Sequence, residues 1–315
     1  MTLPLASSDD LRIGMIGLDT SHTVAFARLL NDPAAPGHVP GAVITAAFRS
    51  GSADMPEKSL GRIAGFAAEL AERYRVELCD TIDEVLARCD AVMIENVDGR
   101  KHLEMARAVF PSGKPVFIDK PLAGSLVEGR EIMRLAQVHG VPVFSASALR
   151  FAPAIIGVPP GRRRTVRGAV TFSPCEIEPH HPDLFWYGIH GVEMLYALLG
   201  PGCESVARMH VPDGDVVTGR WRDGRLGVFY GHRCVPPHFG FKALLADGVV
   251  GGDFQAEYAP LLREAVSFFR SRHAPVSPEE MIEVLAFMEA ADESKRGGGA
   301  PVALAAFASN SPSLA

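Results

Sequence analysis

Short apolar runs alternate with stretches of helical period through the first half of the chain, and that alternation admits few folds. The runs are Leu11–Ile16, Val43–Phe48, Val76–Cys79, Ala91–Ile94, Val116–Ile118 and Val141–Phe144. Each is short and nearly free of polar residues, as strands covered on both faces are. Between them the spacing predicts helices over Thr23–Leu30, Ser59–Tyr74, Thr81 to about Arg88, Lys101–Phe110 and Ser125 to about His139. Thr81-Ile-Asp-Glu84 reads as a capping box. Strands and helices in this order give an α/β fold, a doubly wound parallel sheet of Rossmann type.

After Ser147 the texture changes. Turn-rich stretches lead into strand-like runs at Val166–Phe172, Ser205–Val211, Val216–Trp221, Leu226–Tyr230 and Phe241–Leu245, with one helix at about Ile189–Leu199. Strands that mostly follow one another predict an α+β domain with an open, mainly antiparallel sheet. Helices at Tyr258–Arg270 and from Ser277-Pro-Glu-Glu280 to about Lys295 close it, and the tail from Ala300 reads as loose beyond its last short apolar run. The expected division is a dinucleotide-binding domain over 1–147 and a substrate-binding and oligomerisation domain over 148–315.

The stretch Pro115-Val-Phe-Ile-Asp-Lys-Pro121 puts two charges at the carboxyl end of a buried strand, where open α/β sheets bind ligands. Lys120 there is either a tuned ammonium in a cleft or a cap on the strand end. At the amino terminus, strand Leu11–Ile16 runs into Gly17-Leu-Asp-Thr-Ser-His22 and then a helix, with Ser21 as a natural N-cap. This is the layout of a dinucleotide turn, but Asp19 and His22 stand at the second and third positions of G-x-G-x-x-G. Helix-start N–H groups bind phosphate without side chains, and an ordinary βα turn uses the same residues. Strand Val43–Phe48 ends in Arg49-Ser50-Gly51-Ser52, with no acid before Asp54. A guanidinium and hydroxyls there favour a 2′-phosphate, hence NADP over NAD.

Pro179 to Glu193 concentrates histidines and aromatics. His190 lies near a helix start, which disfavours the imidazolium and suits a general base, and the same place also suits a satisfied core histidine. Tyr187 precedes it, and Glu193 either orients its ring or is a first-turn carboxylate. His180, His181 and Asp183 fit no zinc spacing with His190, so no metal set is expected. These histidines read either as binders of substrate hydroxyls or as a polar loop, and Arg150, His180, His181, Trp186 and Tyr187 together suggest a polar, hydroxyl-rich or anionic small molecule.

A net charge of −6 and the lack of a basic stripe beyond Arg162–Arg164 argue against nucleic acid. Five scattered cysteines without a CxxC pair suit a reducing compartment. Met1–Asp10 lacks the regions of a signal peptide, and no apolar run reaches the ~18 residues of a membrane span, so a cytoplasmic location is expected. Neither a G-x-S-x-G elbow nor a P-loop is present.

In order and spacing, the altered glycine turn, Asp119-Lys120-Pro121, Gly188-Ile-His190 and the closing Tyr258-Ala-Pro-Leu-Leu segment resemble the Gfo/Idh/MocA oxidoreductases along nearly the whole chain. The family's Glu-Lys-Pro matches Asp119-Lys120-Pro121, with Asp for Glu. Its Thr-Pro-Asn-x-x-His stretch matches Val97 to His102, with only His102 kept. Of its Asp-x-x-x-His pair His190 remains, and Trp186 stands in the aspartate's place. The resemblance implies NAD or NADP held by Gly17, Asp19, Thr20, Ser21 and His22, by Arg49 and Ser50, and by Asn96, Asp98, His102 and Lys120. It implies oxidation of a sugar or cyclitol carbinol, or reduction of the ketone, with Lys120, His190 and Tyr187 as catalytic groups, and a homo-oligomer, dimer or tetramer. The lost aspartate leaves open redox-neutral lyase or epimerase chemistry on a bound cofactor, or a non-catalytic dinucleotide-binding regulator.

Overall fold

The computed structural model of the protein describes residues 9–158 and 165–310, so Arg162–Arg164 lies outside the described residues. The chain forms two compact units. One holds the residues up to Gly124, Glu131–Ser145 and Tyr258–Val276, and the other holds Ser125–Arg130, Ala146–Glu257 and the chain from Ser277.

In the first unit the six apolar runs are parallel strands: β1 (Leu11–Ile16), β2 (Ala42–Phe48), β3 (Glu77–Cys79), β4 (Ala91–Ile94), β5 (Val116–Ile118) and β6 (Val143–Ser145). Their order is β3-β2-β1-β4-β5-β6, which reverses between β1 and β4. Such a reversal opens a crevice beyond the carboxyl ends of the two strands. All four residues of β4 and all three of β5 are buried, as expected of strands covered on both faces. Helices α1 (His22–Asn31), α2 (Ile63–Tyr74), α3 (Ile82–Leu86), α4 (His102–Val109) and α5 (Leu126–His139) alternate with them. The Thr81–Glu84 capping box is formed.

The second unit holds β7 (Val166–Pro174), preceded by the short helix α6 (Pro153–Ile156) and followed by α7 (Asp183–Trp186) and α8 (Ile189–Leu199). Strands β8 (Cys203–Val211), β9 (Gly214–Trp221), β10 (Leu226–His232), β11 (Phe239–Leu245) and β12 (Gly248–Phe254) follow. The sheet order is β12-β11-β7-β10-β9-β8-β13, where β13 is Val302–Ala303. All its pairs are antiparallel except β10 with β7. Helix α8 lies against this sheet so closely at Gly191 that a Cβ there would come within 2.1 Å of the Phe229 ring.

Three features were not foreseen in the sequence. Strand β12 is not visible in the sequence, because glycines at 248, 251 and 252 hide its period. The last short apolar run adds an edge strand, with Val302 and Ala303 paired to β8. The cut at 147 misplaces one helix: α9 (Ala259–Ser271) belongs with the first unit. There Phe268 meets the Phe144 ring at 4.8 Å, and Arg270 donates to the Gly41 carbonyl at 2.7 Å. The last helix, α10 (Pro278–Arg296), stays with the second unit.

Candidate active site

In the first unit, the ends of β1, β4 and β5 gather the charged residues. Gly17 leaves β1 with φ +89°, and a Cβ there would lie 2.6 Å from the Asn96 backbone nitrogen. Only glycine suits that close turn. Asp19 is turned into the protein, where its carboxylate accepts from Ser59 Oγ at 2.6 Å and from the Val97 N–H at 2.9 Å. Burial raises its pKa, against those two hydrogen bonds. His22 is turned aside as well, its Nδ1 lying 2.7 Å from Asp119 Oδ2. Its ring stacks on Phe26 at 5.5 Å and meets Tyr258 edge-on at 4.9 Å.

The loops after β2 and β4 are stitched together. Asn96 Nδ2 donates to Ser50 Oγ at 3.1 Å, Ser52 Oγ donates to the Asp98 carboxylate, and Arg100 bridges Asp98 and Asp54 at 2.8 and 3.0 Å. His102 ties the Asn96 and Pro121 carbonyls, 2.8 Å from each ring nitrogen. Asp98 and His102 therefore hold the loop itself, while Arg49 is exposed at the end of β2. Thr20 anchors the turn, its hydroxyl oxygen lying 3.4 Å from the His22 N–H, and Ser21 caps through its backbone without a side-chain bond.

Lys120 follows β5 and is only 7% exposed. Its N–H donates to Asp119 Oδ1 at 2.8 Å. Glu95, which no motif in the sequence marks, is fully buried beside them, and neither carboxylate oxygen has a hydrogen-bond partner. Burial and the charge of Asp119 push its pKa well above the ordinary carboxylate value, with Lys120 opposing. For Asp119, burial is outweighed by the charge and hydrogen bond of His22 and by Lys120, which hold it at about 2.

These residues fit a dinucleotide. Gly17 keeps the tight turn, and the side chains at the two lost glycines are tied down within the protein. Asn96 Oδ1, buried without a partner, is an acceptor at the strand-order reversal. Helix α1 begins there, with N–H groups suited to phosphate.

In the second unit, His190 sits in the first turn of α8. Its Nδ1 lies 2.7 Å from Ser147 Oγ, and the Tyr187 ring packs edge-on at 4.8 Å. Burial raises the Tyr187 phenol pKa. Ser147, not Glu193, orients the imidazole. It caps the turn Ala148–Phe151 by accepting from the Leu149 N–H, a signal that could have been read in the sequence. Glu193 instead pairs with buried Arg150 at 2.5 Å, and Glu280 does so at 2.6 Å. That diversion leaves the Ser277–Glu280 capping box with only its serine half. Arg150 thus belongs to an internal ion network, with Nη2 as its one nitrogen lacking a partner. His180 is exposed and pairs with Glu178 at 3.0 Å, whereas His181 is buried against Trp186, ring to ring at 5.2 Å.

Residues 11–147 match the Gfo/Idh/MocA family, described as an oxidoreductase family with an NAD-binding Rossmann fold. An 89-residue stretch is 33% identical to the myo-inositol dehydrogenase Hyg17 of Streptomyces leeuwenhoekii. It spans 28% of this chain and 26% of that relative. In fold the chain is similar to GenD2 from gentamicin A biosynthesis, in complex with NAD, with a TM-score of 0.76 and 18% identity over 96% of this chain and 99% of that one. It is similar also to myo-inositol dehydrogenase from Lactobacillus casei, in complex with NAD(H) and myo-inositol, with a TM-score of 0.71 and 13% identity over 93% and 96%.

Proposed function

We propose that this chain, a member of the Gfo/Idh/MocA oxidoreductases, catalyses hydride transfer between a nicotinamide and the carbinol or ketone of a sugar, cyclitol or related polyol. The observation that carries the reading is Lys120, an almost wholly buried residue just past the carboxyl end of the interior strand β5. Bound NAD(P) supplies the acceptor or donor of the hydride. Gly17, the start of α1 and Asn96 hold it. His190, with its Nδ1 edge fixed by Ser147, takes the proton from the substrate hydroxyl. Lys120 hydrogen-bonds the same oxygen and stabilises alkoxide character as it develops. Tyr187 packs against His190 and stands in for the aspartate that Trp186 replaces.

NADP is the preferred cofactor in this proposal. Arg49 supports it as an exposed cation at the end of β2, and Asp54, the next acid, is engaged by Arg100. Arg49→Ala should weaken NADPH binding about tenfold, a loss of about 1.4 kcal/mol, and leave NADH binding unchanged. A cytoplasmic homo-oligomer completes the proposal. Five cysteines in the thiol form support the location. Among the described residues no helix is long and apolar enough to cross a membrane. Exposed Leu226 and Tyr230 alternate along β10 with buried Phe229, which gives the second sheet an apolar outer strip suited to pairing.

A panel of cyclitols and sugars with NADP and NAD, read by nicotinamide absorbance, tests the activity. Lys120→Ala and His190→Ala should each lower turnover by ~10²-fold or more while retaining dinucleotide binding. Unimpaired turnover in the His190 variant would remove it from the mechanism. Product without net absorbance change would point to the redox-neutral chemistry instead.

A further inference from the structure

We propose that His22, Glu95 and Asp119 form a binding site for a divalent transition-metal ion. One ligand atom from each lies within 4.8 Å of the others, at the ends of β1, β4 and β5. Two carboxylates and an imidazole suit Mn²⁺, Co²⁺ or Zn²⁺. The geometry alone would describe an acidic cluster. Glu95 makes it a site: its side chain is fully buried, and both oxygens lack any hydrogen-bond partner while facing His22 and Asp119. A buried carboxylate without a partner is costly, and a cation removes that cost.

The surroundings are built for ligation. Asp119 Oδ1 is held by the Lys120 N–H at 2.8 Å, which leaves Oδ2 facing His22. The His22 ring is fixed between Phe26 and Tyr258. Outer contacts of this kind orient ligands and tune the metal. The Nδ1–Oδ2 separation of 2.7 Å must open slightly, because ligand bonds of about 2.0–2.2 Å in a tetrahedral site space the donors by roughly 3.3 Å. Three protein ligands leave a coordination position for water or a hydroxyl oxygen. A divalent ion here would also offset the two ligand carboxylates, Glu95 and Asp119, making the crevice more hospitable to an anionic dinucleotide.

The test needs neither dinucleotide nor substrate, so it stands or falls apart from the dehydrogenase reading. Chelator-stripped protein is titrated with MnCl₂, CoCl₂ and ZnCl₂ by calorimetry, and the reloaded protein is assayed for metal by mass spectrometry. One ion per chain is expected, with a visible Co²⁺ absorption band. Glu95→Gln and His22→Gln should weaken binding by more than the roughly 10–100-fold that loss of an outer-shell partner costs. His273→Ala, at an exposed histidine outside the cluster, should leave it unchanged. Circular dichroism identifies a misfolded variant, and the other then decides. Absence of stoichiometric metal, or wild-type affinity in a folded Glu95→Gln protein, would overturn the proposal.

Discussion

Each unit buries a cluster of acids, and the two clusters are satisfied differently. In the second, Arg208 is fully buried and its guanidinium reaches Asp215 at 2.7 Å, Asp292 at 2.5 Å and Asp183 at 2.9 Å. Arg233 and Lys295 add ion pairs to Asp215 and Asp183 at 2.7 and 2.6 Å. In the first, Glu95 has no hydrogen-bond partner beside Asp119 and His22. The saturated cluster holds β8, β9, α7 and α10 together. The unsaturated one has unused bonding capacity, and it lies at the strand ends where α/β proteins place ligands. Satisfaction, more than burial or charge, separates the structural cluster from the functional one.

The comparison can be broken most forcefully at Arg208. Arg208→Met removes the guanidinium shared by Asp215, Asp183 and Asp292 and leaves buried Asp292 without its ion-pair partner, and a loss of about 3–5 kcal/mol in denaturant unfolding is expected. A change below about 1 kcal/mol would mean that the network contributes specificity and little stability.

Acid should dismantle the same cluster next. Burial raises the Asp183 and Asp215 pKa values, but hydrogen bonds from Lys295 and Arg208, with the Arg208 charge, outweigh it and leave both below the ordinary value. A depressed folded pKa adds stability that is fully present above the unfolded value of about 3.9 and is lost as pH falls through the lower folded value. Thermal midpoints should therefore drop steeply below about pH 4, and Arg208→Met should flatten that slope. Equal slopes in the two proteins would contradict the assignment.

Ser147→Ala probes positioning. Turnover should fall about tenfold, roughly 1.4 kcal/mol, with KM little changed, because the imidazole loses its orienting partner. A rise in KM alone would give Ser147 a substrate-binding role.

The smallest stability effect is expected in the unsaturated cluster. Without metal, Glu95→Gln should shift stability by less than about 1 kcal/mol, because no hydrogen bond is lost. Saturating metal should stabilise the wild type by ~2.7 kcal/mol at one hundred times Kd, and the variant hardly at all.

The sequence made the first sheet legible because β1, β4 and β5 are near-continuous apolar runs with little helical alternative. Period shows that Ala259–Ser271 buries one face, but not against what, so its membership of the first unit was invisible. Lys120 and His190 were legible from their places after a strand and at a helix start. Glu95 was not: an acid after a buried strand reads as a loop residue until β1 and β5 bring His22 and Asp119 beside it. His22 and Asp119 themselves are 97 residues apart. Glu193 lies within helical reach of His190, but Arg150 competes for it with a full charge at 2.5 Å.

The most direct test is isotope transfer. Purified protein is incubated with NADP or NAD and carbinol-deuterated cyclitols and sugars, and the nicotinamide C4 position is analysed by mass spectrometry. Deuterium should appear at C4 with at least one substrate, and its transfer should be lost in Lys120→Ala and His190→Ala. Dinucleotide bound without label at C4 across the panel, or label moving undiminished in both variants, would contradict hydride transfer through these residues.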